Sequence, residues 1–215
     1  MNFDVIFNNW SFMISGLGYS LGLAAVSIIG SFILGVVFAA GRISKRPYLK
    51  YPSIAYIELV RSIPLIIFIL YIFFGLAGIG VNVDPFWSAA LALTIFASAY
   101  VAEVIRTGIL GVKPGQMEAA RASGLSYFQA MRLVILPQAI RSMTPALVSE
   151  FTKLVKDSSL AAVVGVFEFF NRVNLVNSRE LTEPFMLFGF AAVVYFVLNY
   201  SLSLAAKKLE LRADV

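Results

Sequence analysis

Residues 118–137 read EAARASGLSYFQAMRLVILP, a charged segment with an internal glycine that stands between long apolar stretches. Glu118, Arg121 and Arg132 need water or partners of opposite charge, whereas the flanking stretches are apolar enough to lie in lipid. The contrast predicts a segment held outside the bilayer core by a chain embedded in the membrane. Such a segment is interpreted either as a docking element for another protein or as an amphipathic helix that rests on lipid head groups.

The composition of the whole chain is that of an integral membrane protein. Of the 215 residues, 60% are hydrophobic and 13% are charged, which lies outside the range of soluble domains. No charge occurs between Asp4 and Arg42, and about 20 apolar residues suffice to cross a bilayer core. The chain has no Cys and no His, so we expect no disulfide and no metal site.

The hydrophobic stretches predict an all-α fold with a single transmembrane domain over residues 1–215. Five spans are expected, at about 12–41, 52–76, 86–108, 142–166 and 184–206. Lys and Arg concentrate in the loop after the first span, in the loop at about 109–141, and at the C-terminus. The positive-inside rule assigns these segments to the cytoplasm and the N-terminus to the outside. The net charge of +5 is therefore a topology signal, and no nucleic-acid partner is expected.

The 109–141 loop carries the signals of two short helices joined by a turn. Residues 117–122 are good helix formers, and Gly124 breaks the helix. Ser126 with Gln129 matches a capping box that starts a second helix, and Pro137 marks an interruption. The prediction is a helix, turn, helix element on the cytoplasmic side.

Six further motifs accompany Glu118-Ala119-Ala120, Gly124 and the ILP at 135–137. They are ELVRSIPL at 58–65, AEVIRTGI at 102–109, PGQ at 114–116, PQAIR at 137–141, PAL at 145–147 and LVKDSSL at 154–160. Together they resemble the polar amino acid subfamily of type I permease subunits of ATP-binding-cassette importers. The resemblance covers nearly the whole chain, from the first span to the last.

This resemblance implies the partners of the chain. The loop is similar to the EAA loop, whose coupling helix sits in a cleft of a cytosolic ATPase, and we carry that role to Glu118, Ala119, Ala120, Arg121 and Gly124. No G-x-x-x-x-G-K-[ST] occurs here, so the chain has no phosphate-binding loop and is not itself an enzyme. ATP and Mg²⁺ are expected on the partner, and the chain itself carries no cofactor. The complex is placed in the cytoplasmic (inner) membrane of a prokaryote, as a multi-pass protein.

Charged residues at the depth of the bilayer are the candidate cargo site. Each costs several kcal/mol in lipid unless it is paired or hydrated. The candidates are Glu58, Arg61, Glu103, Glu150, Lys153, Asp157 and Ser158. Both signs of charge suit an amino acid with its ammonium and carboxylate groups. The alternative is that the charges satisfy one another, Glu58 with Arg61 and Lys153 with Asp157 or Glu150, and only lock the helices together.

Small and helix-breaking residues indicate where helices approach or bend. Gly18 and Gly22 form a small-xxx-small pair that would let another helix come close. Pro64 and Pro145 lie beside the charged positions, where each is expected to break its helix and free backbone carbonyls.

The predicted outer loop, residues 167–184, is long enough for a short amphipathic helix. The resemblance implies an external substrate-binding protein at that face, and Glu168, Arg172, Asn174, Arg179 and Glu180 are available there. Five spans rarely enclose a pathway, so a second copy or a sister permease is expected.

The tilt of charge toward acids favours a basic amino acid as cargo, namely arginine, lysine or histidine. Glutamine or glutamate is the alternative, because Arg61 and Lys153 would serve them. A second function class is an ATP-independent channel or carrier, for which uptake would not change when the ATPase partner is lost. An intramembrane enzyme is the weakest class, since no acid dyad is evident and Lys156 and Ser158 do not face each other on a helix.

Overall fold

The computed structural model describes residues 3–180 and 184–213, with side chains through residue 205. The described part is entirely helical. Its α-helices are α1 (Asp4–Ile43), α2 (Pro47–Ser62), α3 (Leu65–Gly78), α4 (Pro85–Leu110), α5 (Pro114–Ala122), α6 (Tyr127–Ala130), α7 (Leu136–Asp157), α8 (Phe169–Glu180) and α9 (Pro184–Ala213). A π-helical turn, Met131–Ile135, joins α6 to α7, and a 3-10 helix, Ser158–Val164, follows α7.

Three helices in the described residues are long and apolar enough to cross a membrane: Asp4–Ile43, Pro85–Leu110 and Pro184–Ala205. Two further candidates are bent pairs. Helices α2 and α3 meet at 108°, and the segment Tyr127–Val164 meets α8 at 47°. If each bent pair is one span, the number reaches the five expected from the sequence.

The bend between α2 and α3 lies at Ile63 and Pro64. Both residues have extended backbone angles, with ψ of 134°. The ring of Pro64 disfavours the helical conformation at Ile63, the residue before it. The stretch expected as one span, 52–76, is therefore two helices. Pro145, in contrast, lies inside the continuous helix α7, so the break expected at that proline was wrong.

Helix α1 packs along α4 through a stripe of small side chains. The buried positions of α1 recur every three or four residues, and seven of them are Gly16, Ser20, Ala24, Ser27, Ser31, Gly35 and Ala39. The facing side of α4 is rich in buried Ala and Ser. Small side chains let two helix backbones approach closely, which is how membrane helices gain van der Waals contact.

The glycine pair singled out in the sequence is not the one that packs in this way. A Cβ placed on Gly18 would meet no atom of the described chain within 4 Å, and one on Gly22 would only reach Phe86 at 4.0 Å. The close approaches are at other glycines of α1. A Cβ on Gly35 would lie 2.5 Å from Val101 Cγ1, and one on Gly16 would lie 2.7 Å from the Phe169 Cα.

We therefore expect Gly35→Ala to destabilise the protein and Gly18→Ala to be neutral. The added methyl at Gly35 must displace both Val101 and the backbone of Ala102, whose N lies 3.2 Å away. Overpacking of this kind costs about 1–3 kcal/mol. Thermal unfolding of the two variants in detergent measures the difference. Equal melting temperatures would show that the α1 and α4 backbones are not in close contact at Gly35.

Helix α8 packs against the N-terminal half of α1 and the start of α9. Its buried residues are Phe169, Val173 and Val176, which lie on one face of the helix. They join Met13, Leu187 and Ala191 in a separate core. The amphipathic helix expected in the loop before the last span is confirmed. We call this side of the molecule the α8 end and the opposite side, which carries α5 and α6, the loop end.

Candidate cargo and coupling sites

The turn after α5 is a Schellman motif that requires glycine. Gly124 has φ of +86°, a left-handed conformation in which side chains other than glycine are strained. The Leu125 N–H donates to the Ala120 carbonyl, and the Gly124 N–H donates to that of Arg121. These two bonds satisfy carbonyls at the helix end. The turn predicted at Gly124 is confirmed.

The second helix of the loop begins at a complete capping box. The Gln129 N–H donates to Ser126 Oγ at 3.3 Å, and the Ser126 N–H donates to Gln129 Oε1 at 2.8 Å. Two donors at the helix start are thus satisfied. Pro137 does not end the helix that follows. The chain stays helical through the π turn and into α7. In place of the interruption expected at Pro137, the structure has one π-helical turn just before it, and π-helices occur mostly as such single turns inside α-helices.

Helix α5 presents most of its surface outward. Glu118, Ala119 and Arg121 are exposed, whereas Ala120 is buried. Arg121 Nη1 also donates to the Leu125 carbonyl at 3.0 Å and so bridges the turn. The α5 helix is thus a short rod with a fixed end, attached to the molecule on one side and open on the other.

Four of the charged residues near the loop end form one ion-paired cluster. Arg42 Nη2 lies 2.9 Å from Glu58 Oε1, and Arg42 Nη1 lies 3.2 Å from Glu103 Oε2. Arg106 pairs with Glu103 through both its Nε and its Nη2. We call Arg42, Glu58, Glu103 and Arg106 the charge cluster. It joins the ends of α1, α2 and α4.

This pairing differs from the pairing expected from the sequence. Glu58 pairs with Arg42 from another helix, and not with Arg61 on its own. Nor does any ion pair within 4 Å join Lys153 to Glu150 or Asp157 in the described chain. Arg42 and Arg106 were not among the predicted site residues. Their position at the ends of charge-bearing helices was the one available signal of this role.

The other predicted cations lie against an aromatic ring of α4. Arg61 Cζ is 5.2 Å from the centre of the Tyr100 ring, and Lys153 Nζ is 4.5 Å from it. Both contacts are within the range of cation–π attraction. Tyr100 thus brings together residues from α2 and α7, and it was not among the predicted site residues.

Two acids complete this face of α7. Glu150, Lys153 and Asp157 follow one another at helical spacing and share a face. Asp157 interacts electrostatically with Lys153, Glu150 and Lys156. Ser158 lies apart from this face, because its side chain is fully buried and its hydroxyl donates to the Val155 carbonyl at 2.8 Å. We call Arg61, Tyr100, Glu150, Lys153 and Asp157 the Tyr100 face.

The α8 end contains a buried acid, Glu168, which the sequence predicted to lie in an outer loop. Glu168 is fully buried and accepts hydrogen bonds from the hydroxyls of Ser20 and Tyr195, each at 3.1 Å. It also accepts from the backbone N–H groups of Phe170 and Asn171. Burial raises the pKa of this carboxyl, and the four donors act in the opposite direction.

Arg172 is half-buried and hydrogen-bonded to α1. Its Nη1 donates to Ser15 Oγ at 2.6 Å and to the Phe12 carbonyl at 3.1 Å. Glu168 and Arg172 therefore join α8 to α1 and α9. Of the five residues considered for an external partner, Arg179 and Glu180 are exposed.

The described residues contain no group of three or more acids placed to hold a metal ion. The charged residues predicted for the cargo site instead belong either to the ion-paired charge cluster or to the Tyr100 face. An arrangement of this kind can hold helices together and bind a charged solute without catalysing a reaction.

Residues 31–215 match the family described as the inner membrane component of binding-protein-dependent transport systems. The chain belongs to this family of ATP-binding-cassette importer permeases. Among its relatives is the probable glutamine ABC transporter permease protein GlnM of Bacillus subtilis, which is 41% identical to this chain. The alignment covers 100% of this chain and 99% of GlnM. The probable glutamine permease GlnP of the same organism is also 41% identical, over 94% of each chain.

A solved structure supports the same assignment. The permease superposes on a chain of a structure described as an amino acid ABC transporter with histidines, with a TM-score of 0.93 and 34% identity over 99% of both chains. The type I permease fold expected from the sequence is thereby confirmed. The permease is the membrane subunit of an amino acid importer and not itself the catalytic subunit.

Proposed function

We propose that this permease carries glutamine, with its uncharged side chain, across the inner membrane. The observation that carries the proposal is the balance of charge at the Tyr100 face. Arg61 and Lys153 lie on the Tyr100 ring, and Glu150 and Asp157 lie beside Lys153 on α7. The two positive and two negative groups of this face sum to zero net charge, as do the ammonium and carboxylate of glutamine, so the face has no excess charge of either sign to favour a charged side chain.

The acids that favoured a basic cargo on sequence grounds are largely committed elsewhere. Glu103 has two arginine partners, and Glu58 has one. Glu103 is only 21% exposed, and taking this carboxylate away from its arginines leaves desolvated charge without compensation, so Glu103 is a poor ligand for a passing cation. Glu58 is more exposed, but Arg42 occupies it in this structure. We therefore restrict the cargo contacts to the Tyr100 face and leave Glu58, Glu103 and Ser158 out. The names of the glutamine relatives GlnM and GlnP support this choice.

Basic amino acids remain the second candidate. The similar solved structure is described as containing histidines, and Glu58 keeps 56% of its side chain exposed. If Glu58 exchanged Arg42 for a cargo ammonium or guanidinium, the permease would accept a cationic side chain.

Energy for transport is proposed to enter through α5. Glu118, Ala119, Ala120, Arg121 and Gly124 form a rigid exposed rod with a fixed turn, which suits a helix that sits in a cleft of a cytosolic ATPase and moves with it. ATP and Mg²⁺ belong to that partner. The orientation follows: the loop end faces the cytoplasm, and the α8 end faces the external binding protein. A second permease copy or a sister permease completes the pathway.

Direct binding to the purified permease and ATPase complex, without the binding protein, tests the cargo. Glutamine is expected to bind, and arginine is expected to bind at least tenfold more weakly. Lys153→Gln is expected to weaken glutamine binding about tenfold. Lys156→Gln is the matched control, since Lys156 is exposed, does not contact Tyr100 in the described structure and should leave the affinity unchanged.

Three results would contradict the proposal in different ways. Tighter binding of arginine than of glutamine would favour the second candidate. Equal effects of the two lysine variants would remove the Tyr100 face from the cargo site. Glutamine uptake into vesicles that lack the ATPase would indicate a channel or carrier.

A further inference from the structure

A cavity of about 520 Å³ lies at the loop end of the permease, outside both the charge cluster and the Tyr100 face. Ala40, Ile43, Ser44 and Lys45 line it from the end of α1 and the link to α2. Ile109, Tyr127, Met131 and Leu136 line it from α4, α6, the π turn and α7. Its volume is in the range of ligand sites, about 300–1,000 Å³. The lining is mainly apolar, with Lys45 as its one charged member.

The chain around Lys45 carries positive charge that the described structure leaves without carboxylate partners. Lys45, Arg46 and Lys50 are all exposed, and no ion pair in residues 3–180 and 184–205 involves them. The Arg46 guanidinium contacts a neutral group, the Tyr48 hydroxyl, at 3.0 Å.

The elements that line the cavity offer no acid to neutralise this charge. Glu103 of α4 is occupied by Arg42 and Arg106. Residues 127–135 contain no acid, and the acids of α7, Glu150 and Asp157, stand at the far part of that helix. A ligand at this site would therefore meet an apolar chamber with a cationic rim.

Exposed aromatic side chains lie on α2 and α6, next to the segments that line the cavity. Tyr48, Tyr51, Tyr127 and Phe128 are between 58% and 73% exposed. Tyrosine and other aromatic rings concentrate where the head groups of a membrane meet its hydrocarbon. An apolar cavity, a cationic rim and exposed aromatic rings on adjoining segments are the chemistry that recognises a lipid.

We propose that this cavity binds one anionic phospholipid of the adjoining leaflet. Part of an acyl chain lies against Ala40, Ile109 and Leu136, and the phosphate lies between Lys45 and Arg46. The charge of the rim selects an anionic head group over a zwitterionic one. Because Met131 and Leu136 belong to the segment that follows the α5 turn, a bound lipid also supports the loop that we assign to the ATPase.

Native mass spectrometry of the detergent-purified permease and ATPase complex tests the site with phosphatidylglycerol and phosphatidylcholine as probes. One phosphatidylglycerol is expected to stay bound at a concentration where phosphatidylcholine does not. Lys45→Gln with Arg46→Gln is expected to lower this retention at least fivefold. Lys113→Gln with Arg141→Gln removes two other charges of the loop end and is expected to leave it unchanged.

A second variant separates a built site from general attraction to a charged surface. Ala40→Trp fills the cavity and keeps every charge, and it is expected to displace the lipid. Ile43→Trp serves the same purpose if the first variant does not yield a folded complex. Retention of phosphatidylglycerol by the filled variants would show that the lipid is held only at the surface.

Three other outcomes would overturn the proposal. Displacement of the lipid by millimolar inorganic phosphate would indicate a site for free phosphate. Unchanged retention in the Lys45 and Arg46 double variant would remove the rim from the site. Loss of the ATPase from the filled variant, with lipid retention unchanged, would make the cavity part of the ATPase interface. None of these readouts depends on which amino acid is transported.

Discussion

Gly124→Leu is expected to abolish ATP-driven uptake while the permease still inserts and folds. A left-handed conformation costs a residue with a side chain about 1–2 kcal/mol, which lowers the ratio of the native turn to its alternatives roughly 5- to 30-fold. Space is not the obstacle, because a Cβ at Gly124 would meet no atom within 4 Å. The strain therefore acts on the backbone of the turn that fixes α5 relative to α6. Uptake of glutamine into vesicles that contain the whole complex measures it.

Gly80 offers a matched control for this substitution. It has nearly the same backbone, with φ of +81°, and equally open surroundings, but it lies between α3 and α4, away from the α5 turn. Gly80→Leu carries the same strain, so we expect at least half of the uptake to remain. Gly124→Asn should also keep much of the activity, because asparagine tolerates left-handed backbone. Equal loss in Gly80→Leu and Gly124→Leu would falsify a coupling role for the α5 turn.

Glu103→Gln is expected to be the most destabilising change in the charge cluster. The carboxylate holds Arg42 and Arg106 together, and the side chains of the three residues are only 17–25% exposed. Removing one partner leaves desolvated charge without compensation, at a cost of about 3 kcal/mol. The helix ends of α1 and α4 should then separate more easily. Thermal unfolding of the purified complex measures the loss.

Glu58→Gln is the comparison, because Glu58 binds the same Arg42 but is 56% exposed. Exposed ion pairs contribute about 1 kcal/mol or less, so this variant should melt close to the unmodified protein. The pair of variants also tests whether Glu103 is a cargo contact, as its sequence position suggested. A Glu103→Gln protein of unchanged stability but weakened glutamine binding would assign the carboxylate to cargo and not to packing.

Local features of the chain were predicted well because neighbouring residues cause them. The α5 turn follows from Gly124, the start of α6 from Ser126 and Gln129, and the bend before α3 from Pro64. Each depends on backbone preferences that act within four residues. The amphipathic helix α8 could be predicted for the same reason, since its apolar positions recur at helical spacing.

Contacts between distant segments could not be predicted in this way. Glu58 and Arg61 share a helix face, but Glu58 forms its ion pair with Arg42 because α1 and α2 pack side by side. The choice among glycines in α1 depends on the rotation of that helix against α4, which turns Gly35 inward and Gly18 outward. Glu168 belongs to a stretch that the sequence predicts as an outer loop, but the packing of α1 and α9 places Ser20 and Tyr195 beside it.

The sequence alone therefore determined the membrane class, most of the helical segments and the helix, turn, helix form of the loop before α7, and its motifs resembled those of the importer permeases. These properties depend on hydrophobicity, charge and local backbone preference, which are written in consecutive residues. Only the tertiary structure decided which charges form ion pairs and which lie around the Tyr100 ring. That decision depends on which helices are neighbours and how each is rotated about its axis, and a residue spacing within one helix contains neither.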